Sequence, residues 1–269
     1  MNNPQGQTAA STAPQYRPSQ RTAEPLARRA ALTNSRWRDG LALLERSVPF
    51  TRRVVHAGDT VYLGGDAFGH LHVINAGQFK TVNFTADGRG QVVGLHFKGD
   101  WLGFDGIDSG YYGCDAVALD TGEVWGIRYS ALTEACATSP ELMRTVHAAM
   151  SCQIARECDS LLSLGTLSAD ARVANFIVDW AESLAARDLR TDEITVHMTR
   201  AEIGNYLGMT LETVSRALGR LALRGVIGFN QKGRRDIAIP SLKHLRDFIL
   251  GAVEMKVSAT PAVRRPGTA

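Results

Sequence analysis

The sequence predicts an α+β chain: a β-rich N-terminal unit, one long helix, and a C-terminal unit of short helices with a β-hairpin. Three observations carry that expectation. Residues 41–128 hold short runs rich in β-formers, cut at regular intervals by Gly and Asp. Residues 139–164 form a Pro-initiated stretch with apolar residues at steps of three and four. Residues 198–235 hold two capped segments broken by Gly208, then a basic hairpin.

Size and composition set the outer limits. The chain has 269 residues, 44% of them apolar, and a net charge of +3. That suffices for one large domain or two modest ones with real cores. No window approaches the roughly 20 apolar residues a membrane-spanning helix needs. The N-terminus lacks a charged start followed by an apolar core, so a cytoplasmic protein without membrane association is expected. The four cysteines, Cys114, Cys136, Cys152 and Cys158, form no C-x-x-C pair, and none precedes position 114. Structural disulfides are not expected in a reducing compartment.

Taken in order, residues 1–38 are rich in Ala, Pro, Gln, Ser, Thr and Arg without apolar period, and read as a flexible tail. Residues 251–269, ending "VSATPAVRRPGTA", read the same way. In residues 39–138, "HLHVI" and "FKTVNF" alternate, and "AGD", "GGD", "NAG", "ADGRG" and "KGD" mark turns. Short strands at such spacing predict a compact roll, barrel or sandwich. No Walker loop and no helix-preceding G-x-G-x-x-G is present.

Residues 139–167 predict a long helix. Ser139 can cap it, Pro140 fits its first position, and Glu141 favours the positive end of its dipole. Met143, His147, Met150, Ile154, Cys158 and Leu161 form one stripe, with Glu157 at its edge. Such a seam docks on a second copy of the chain, or packs within its own domain; the homodimer is the favoured reading. Residues 168–250 begin with a second helix, capped by Ser168, with Val173, Phe176, Ile177, Trp180 and Leu184 on one face. "EITVHM" reads as a short strand.

The next segment carries the chemistry. Thr199 and Glu202 form a T-x-x-E capping box, and Ile203, Tyr206 and Leu207 supply a packed face. Gly208 can end that helix and Thr210 can cap the next, which buries Val214, Leu218 and Leu221 and stops at Gly225. Helix, Gly turn, helix is the helix-turn-helix unit, whose second helix enters the major groove of DNA. Glu212, Ser215 and Arg216 share the face opposite the apolar one. Chemically they suit base readout: a carboxylate accepts from cytosine, a guanidinium forks onto guanine, and a hydroxyl adapts to either. Arg200, Thr210, Thr213 and Arg220 are placed for phosphates, which position without specifying. "VIGFNQKGRRDIAI" reads as a wing that brings Lys232 and Arg234 to the backbone. Seven Lys or Arg between 199 and 235 face only Glu202 and Glu212, a local +5. Each part has an ordinary alternative, since an i, i+4 Glu–Arg pair is often a surface ion pair. Their conjunction points to sequence-specific binding of double-stranded DNA.

"MTRAEIGNYLGMTLETVSRALGRL", "GLHFKGDWLGFD" and "GFDGIDSG" resemble the CRP/FNR superfamily of bacterial transcription regulators, most closely its FNR-like branch. The resemblance spans residues 40 to 250. It implies a β-roll sensor domain related to cyclic-nucleotide-binding domains, a dimerisation helix and a winged helix-turn-helix. It further implies a homodimer on the palindrome TTGAT-N4-ATCAA, read by Glu212, Ser215 and Arg216, in anaerobic, redox or nitrogen-oxide-linked gene control. The loop "TADGRGQ" matches one that contacts RNA polymerase in that branch; Gly88 matches, while Arg89 replaces an acid.

The resemblance breaks at the cofactor. FNR-type 4Fe–4S clusters use N-terminal cysteines and one later cysteine. This chain has none before Cys114, and Trp125 stands at the later position. Cyclic-nucleotide pockets of the superfamily need a Gly-Glu and an Arg-Ser. "DWLGFDGI" lacks the Glu, and "SGYYGCDA" lacks the Arg. No cluster, no cyclic AMP and no other metal are expected. The remaining switches are cysteine oxidation, haem or another ligand held by a residue such as His96, or control through expression level. The alternative function is thus a ligand- or haem-responsive CRP-like regulator with a different effector and site. An enzyme is not expected. Cys114 beside Asp115, and His70 with His72, lack the partners catalysis needs. A ligand-binding or scaffolding protein without DNA is the third class.

Overall fold

The computed structural model describes residues 38–229 and 235–258. A first helix, α1 (38–47), leads into a double-layered β unit. Its strands are β1 (Phe50–Val55), β2 (Thr60–Tyr62), β3 (His70–Ala76), β4 (Phe79–Phe84), β5 (Gly90–His96), β6 (Trp101–Leu102), β7 (Asp115–Ala118) and β8 (Gly122–Arg128). They form two four-stranded antiparallel sheets, ordered β1-β8-β3-β6 and β2-β7-β4-β5. Alternation in "HLHVI" and "FKTVNF" buries Leu71 and Val73 on one face of β3, and Phe79 and Thr81 on one face of β4. Val55, Ile74, Phe79, Leu102, Ala116 and Val124 fill the space between the sheets. The β3–β4 turn needs glycine: Gly77 has φ +88°, and a Cβ there would lie 2.7 Å from the Cα of Gly122.

A short turn of helix, α2 (Gly106–Ser109), interrupts the roll. Two further helices, α3 (Tyr129–Thr138) and α4 (Pro140–Thr166), close its open side. Leu41 and Leu44 of α1, Leu132 of α3 and Leu142 of α4 meet Leu71, Trp101 and Trp125 in a second apolar cluster. Ser139 caps α4, its Oγ accepting from the Leu142 amide at 3.3 Å.

The C-terminal unit comprises α5 (Ala169–Ala185), β9 (Glu193–Thr195), α6 (Arg200–Tyr206), α7 (Leu211–Leu223), β10 (Gly228–Phe229), β11 (Asp236–Ala238) and α8 (Leu242–Ser258). The strands pair antiparallel in the order β10-β11-β9. Its core extends into the β-roll: Val92 and Phe97 pack with Phe176, Trp180 and Ile203 in one cluster.

Several expectations are corrected. Helix α1 occupies residues read as the start of a β-rich run, and α3 precedes the long helix without a turn signal of its own. Helix α4 itself spans Pro140–Thr166, and its interior Gly165 costs only about 1 kcal/mol. The residues from 251 begin helical rather than as a tail: α8 continues to Ser258. Lys232 and Arg234 lie outside the described residues.

Candidate nucleic-acid interface

The helix pair is built by local rules. Thr199 Oγ1 accepts from the Glu202 amide at 3.2 Å, and Glu202 Oε2 accepts from the Thr199 amide at 2.7 Å, closing the capping box. Gly208 takes φ +62° in the turn. Gly204 lets the two helices approach, since a Cβ there would meet the Met209 carbonyl at 2.6 Å. Thr210 caps α7 by accepting from the Thr213 amide at 3.3 Å. Val214, Ala217, Leu218 and Leu221 are buried, and Glu212, Ser215 and Arg216 lie together on the exposed side. The Glu212 carboxyl is held below the usual range, first by its own backbone amide, then by the Thr210 hydroxyl, with Arg216 adding a smaller pull. It is therefore an ionised acceptor, as contact with a cytosine amino group requires.

The phosphate set divides. Arg200 lies with its guanidinium carbon 5.6 Å from the Phe229 ring centroid. Thr210 and Thr213 share a hydroxyl contact at 3.1 Å. Arg220 is engaged elsewhere: it forks onto Asp170 at the start of α5, at 2.8 and 2.5 Å. In the chain without DNA its charge is offset by that carboxylate at the surface. The acid was visible in the sequence, but only as a first-turn residue; a pairing 50 positions apart has no local signal.

Sequence reasoning missed five residues that place this unit: Arg172, Asn205, Asp100, Arg156 and Arg187. Arg172 Nη1 donates to the Leu207 carbonyl at 2.9 Å, and its Nη2 donates to the Leu164 carbonyl at 3.1 Å. One guanidinium thus joins the end of α4 to the helix-turn-helix turn. Asn205 of α6 treats β5 as a neighbouring strand would. Its Oδ1 accepts from the Val92 amide at 2.5 Å, and its Nδ2 donates to the Gly90 carbonyl at 2.7 Å. Since β5 is an edge strand, this satisfies backbone groups otherwise left open. Asp100 on the roll accepts from Arg156 of α4 at 2.8 Å and pairs with Arg187, after α5, at 3.1 Å. Burial alone would raise the Asp100 carboxyl; the two guanidiniums outweigh it and hold the group well below the ordinary carboxylate range.

The hairpin tip carrying Gly88 is exposed, with Gly88 at φ +79° and Arg89 paired to Asp87 at 2.8 Å. On α4 two faces separate. Leu142, Val146 and Ala149 turn toward the β-roll. The stripe of Met143, His147, Met150, Ile154, Glu157, Cys158 and Leu161 is not buried within the chain; Ile154 and Leu161 are 60% and 68% exposed. Gln153 donates to the Glu157 carboxylate at 3.0 Å.

A model of the Crp-like helix-turn-helix domain matches residues 171–248, and one of the cyclic nucleotide-binding domain matches residues 52–139. The fumarate and nitrate reduction regulatory protein of Escherichia coli (strain K12) is 35% identical over 190 residues, covering 71% of this chain and 74% of that protein. The Salmonella typhimurium protein of the same name gives the same figures. This chain belongs to the CRP/FNR superfamily. It is a DNA-binding transcription regulator, and not an enzyme. Among solved structures, FixK2 from Bradyrhizobium japonicum matches with a TM-score of 0.66 and 27% identity, over 74% of this chain and 97% of that one. A CRP-family transcriptional regulator from Thermus thermophilus, TTHB099, shares the fold with a TM-score of 0.62 at 24% identity, over 75% and 98% of the two chains.

Two ligand sets of this superfamily, the 4Fe–4S cysteines and the cyclic-nucleotide Gly-Glu and Arg-Ser, are not matched by the residues at the corresponding positions. A 4Fe–4S cluster needs four thiolates. Among the described residues no three His, Cys, Asp or Glu side chains converge as a metal site would require. Trp125 is buried, stacked on Phe50 at 4.5 Å, with its indole N–H donated to Glu123 at 2.7 Å. Asp105 accepts from the Gly113 amide at 2.8 Å and from the Cys114 thiol at 3.3 Å, beside the "SGYYGCDA" segment that lacks the Arg. Burial first, then Asp105, pushes the Cys114 thiol up, so it is not an activated nucleophile. His96 is buried, and its Nε2 lies 3.1 Å from Thr81 Oγ1. Among the described residues no helix is long and apolar enough to cross a membrane.

Proposed function

We propose that this regulator acts as a homodimer on the palindrome TTGAT-N4-ATCAA, with Glu212, Ser215 and Arg216 as base readers. The observation that carries it is the exposed triad on α7, presented by a closed capping box and a Gly turn. Arg200, Thr210 and Thr213 position the duplex. The exposed stripe on α4 supports pairing of two chains, because soluble monomers seldom expose a continuous apolar row. Gly88 and the β4–β5 tip are the surface offered to RNA polymerase. The signal is anaerobic, redox-linked or nitrogen-oxide-linked, and it is not sensed by a 4Fe–4S cluster or cyclic AMP. A cytoplasmic location follows from DNA as the partner.

A footprint on the palindrome tests this reading. Protection of both half-sites is expected. Replacing TTGAT and ATCAA should abolish it, and Glu212→Ala should extend protection to sequences changed at one base pair. Equal protection of palindrome and scrambled DNA would show that the triad does not read this site.

A further inference from the structure

The C-terminal unit is linked to α4 by Leu167 and Ser168 alone, since α4 ends at Thr166 and α5 begins at Ala169. So short a link would let the unit swing, yet polar ties from three directions oppose it. Arg172 of α5 donates to the Leu164 and Leu167 carbonyls at the end of α4, at 3.1 and 3.3 Å. The same guanidinium donates to the Leu207 carbonyl, between α6 and α7, at 2.9 Å. It therefore offsets the negative ends of two helices at once. Asn205 of α6 grips the start of β5 through the Val92 amide and the Gly90 carbonyl, and the Gln91 side chain donates back to the Asn205 carbonyl. Past the other end of β5, Arg187 enters the turn before β6, where its side chain is only 6% exposed. Its Nε donates to the Lys98 carbonyl at 2.6 Å, and it shares Asp100 with Arg156 of α4. Between the two grips Phe97 meets Trp180 of α5 edge to face, with ring centroids 5.2 Å apart.

We propose that these ties form a brace that fixes the distance and angle between the two α7 helices of a dimer. Asn205, Arg172 and Arg187 are then positioning residues for half-site spacing, and not for base identity. The proposal rests on the homodimer and half-site reading above, and gives spacing its own set of residues. The named bonds end on α4, α5, α6, β5 or a turn, so they leave the face of Glu212, Ser215 and Arg216 unchanged. Each base pair added between half-sites moves one of them about 3.4 Å along the duplex and turns it by about 34°. A reader swinging on a two-residue link follows that change at little cost. A braced reader follows it only by breaking hydrogen bonds that burial makes costly to leave open.

Fluorescence anisotropy of the full chain tests the brace, on TTGAT-N4-ATCAA and on duplexes with the spacer one base pair shorter or longer. Hydrogen exchange of the free protein accompanies it. Wild type should lose about tenfold in affinity when the spacer changes, the cost of opening one or two buried hydrogen bonds. Asn205→Ala should reduce that loss to about threefold or less and keep the preference among single-base changes, the reverse of Glu212→Ala. Arg172→Lys keeps the charge but not the fork that reaches three carbonyls, and should act in the same direction. The Val92 amide should be protected in wild type and exposed to exchange in Asn205→Ala, with the amides of α7 unaltered. Equal wild-type affinity for all the spacers overturns the brace, and so does a wild-type spacing preference in Asn205→Ala. A Val92 amide that exchanges like an open strand edge in wild type overturns it whatever the DNA shows. A wild type that binds none of the duplexes overturns the half-site reading, and Val92 exchange then decides the brace alone.

Discussion

Glu212, Ser215 and Arg216 differ from the other polar residues of α7 in what surrounds them. The carboxylate of Glu212 is ionised and solvent-facing, whereas the guanidinium of Arg220 is forked onto Asp170. Glu212→Ala should therefore relax base choice with little effect on stability. A panel of duplexes with single base changes would show it as a flattened preference, each lost contact being worth about 1–3 kcal/mol. For Arg220→Ala the expectation reverses the one drawn from sequence. The half-exposed ion pair contributes under about 1 kcal/mol, so a small drop in melting temperature is expected, with the salt slope of DNA binding unchanged. The triad was legible because helical period alone places three residues on one face. Asp170 and Phe229 were not, because each acts on a residue remote in sequence.

At the scale of elements, α4 and the helix pair obeyed strong local signals: Ser139 with Pro140, Thr199 with Glu202, and Gly208. Helix α3 has no such start, with Arg128 as an unassisted N-cap, and it was hidden behind the β-rich run it closes. The stripe on α4 was read correctly as a stripe; that Leu142, Val146 and Ala149 make a second apolar face against the roll was not. Two charged side chains brought together at a seam repel. If Glu157 meets its copy in a dimer, Glu157→Ala should tighten self-association, and sedimentation equilibrium would read it. An unchanged constant would remove the acid from the seam. Leu161→Asp should do the opposite and leave monomers, since it places a charge where an apolar contact is expected.

The whole molecule is held together by contacts that no single segment announces. Asn205 caps the β5 edge, Lys80 pairs with Glu202, Asp100 joins two arginines, and Arg172 ties the end of α4 to the reader. Sensor and reader therefore share one core, and their cooperative unfolding in a single transition is expected. Acid should weaken the fold in a defined window. Burial lowers His72 and His96 from the ordinary value of 6.5 to about 4. Between those values the unfolded chain binds the extra protons, so stability is full above pH 6.5 and falls as pH drops toward 4. Melting temperature against pH would check it, and His96→Gln should flatten part of the slope.

The proposal that this regulator binds its palindrome without a 4Fe–4S cluster is checked by its response to oxygen. Affinity for TTGAT-N4-ATCAA should be measured on one preparation of the purified protein, in air and under strict anaerobiosis. The same tight, sequence-selective binding is expected in both. Selective binding that appears only without oxygen, together with bound iron, would contradict it.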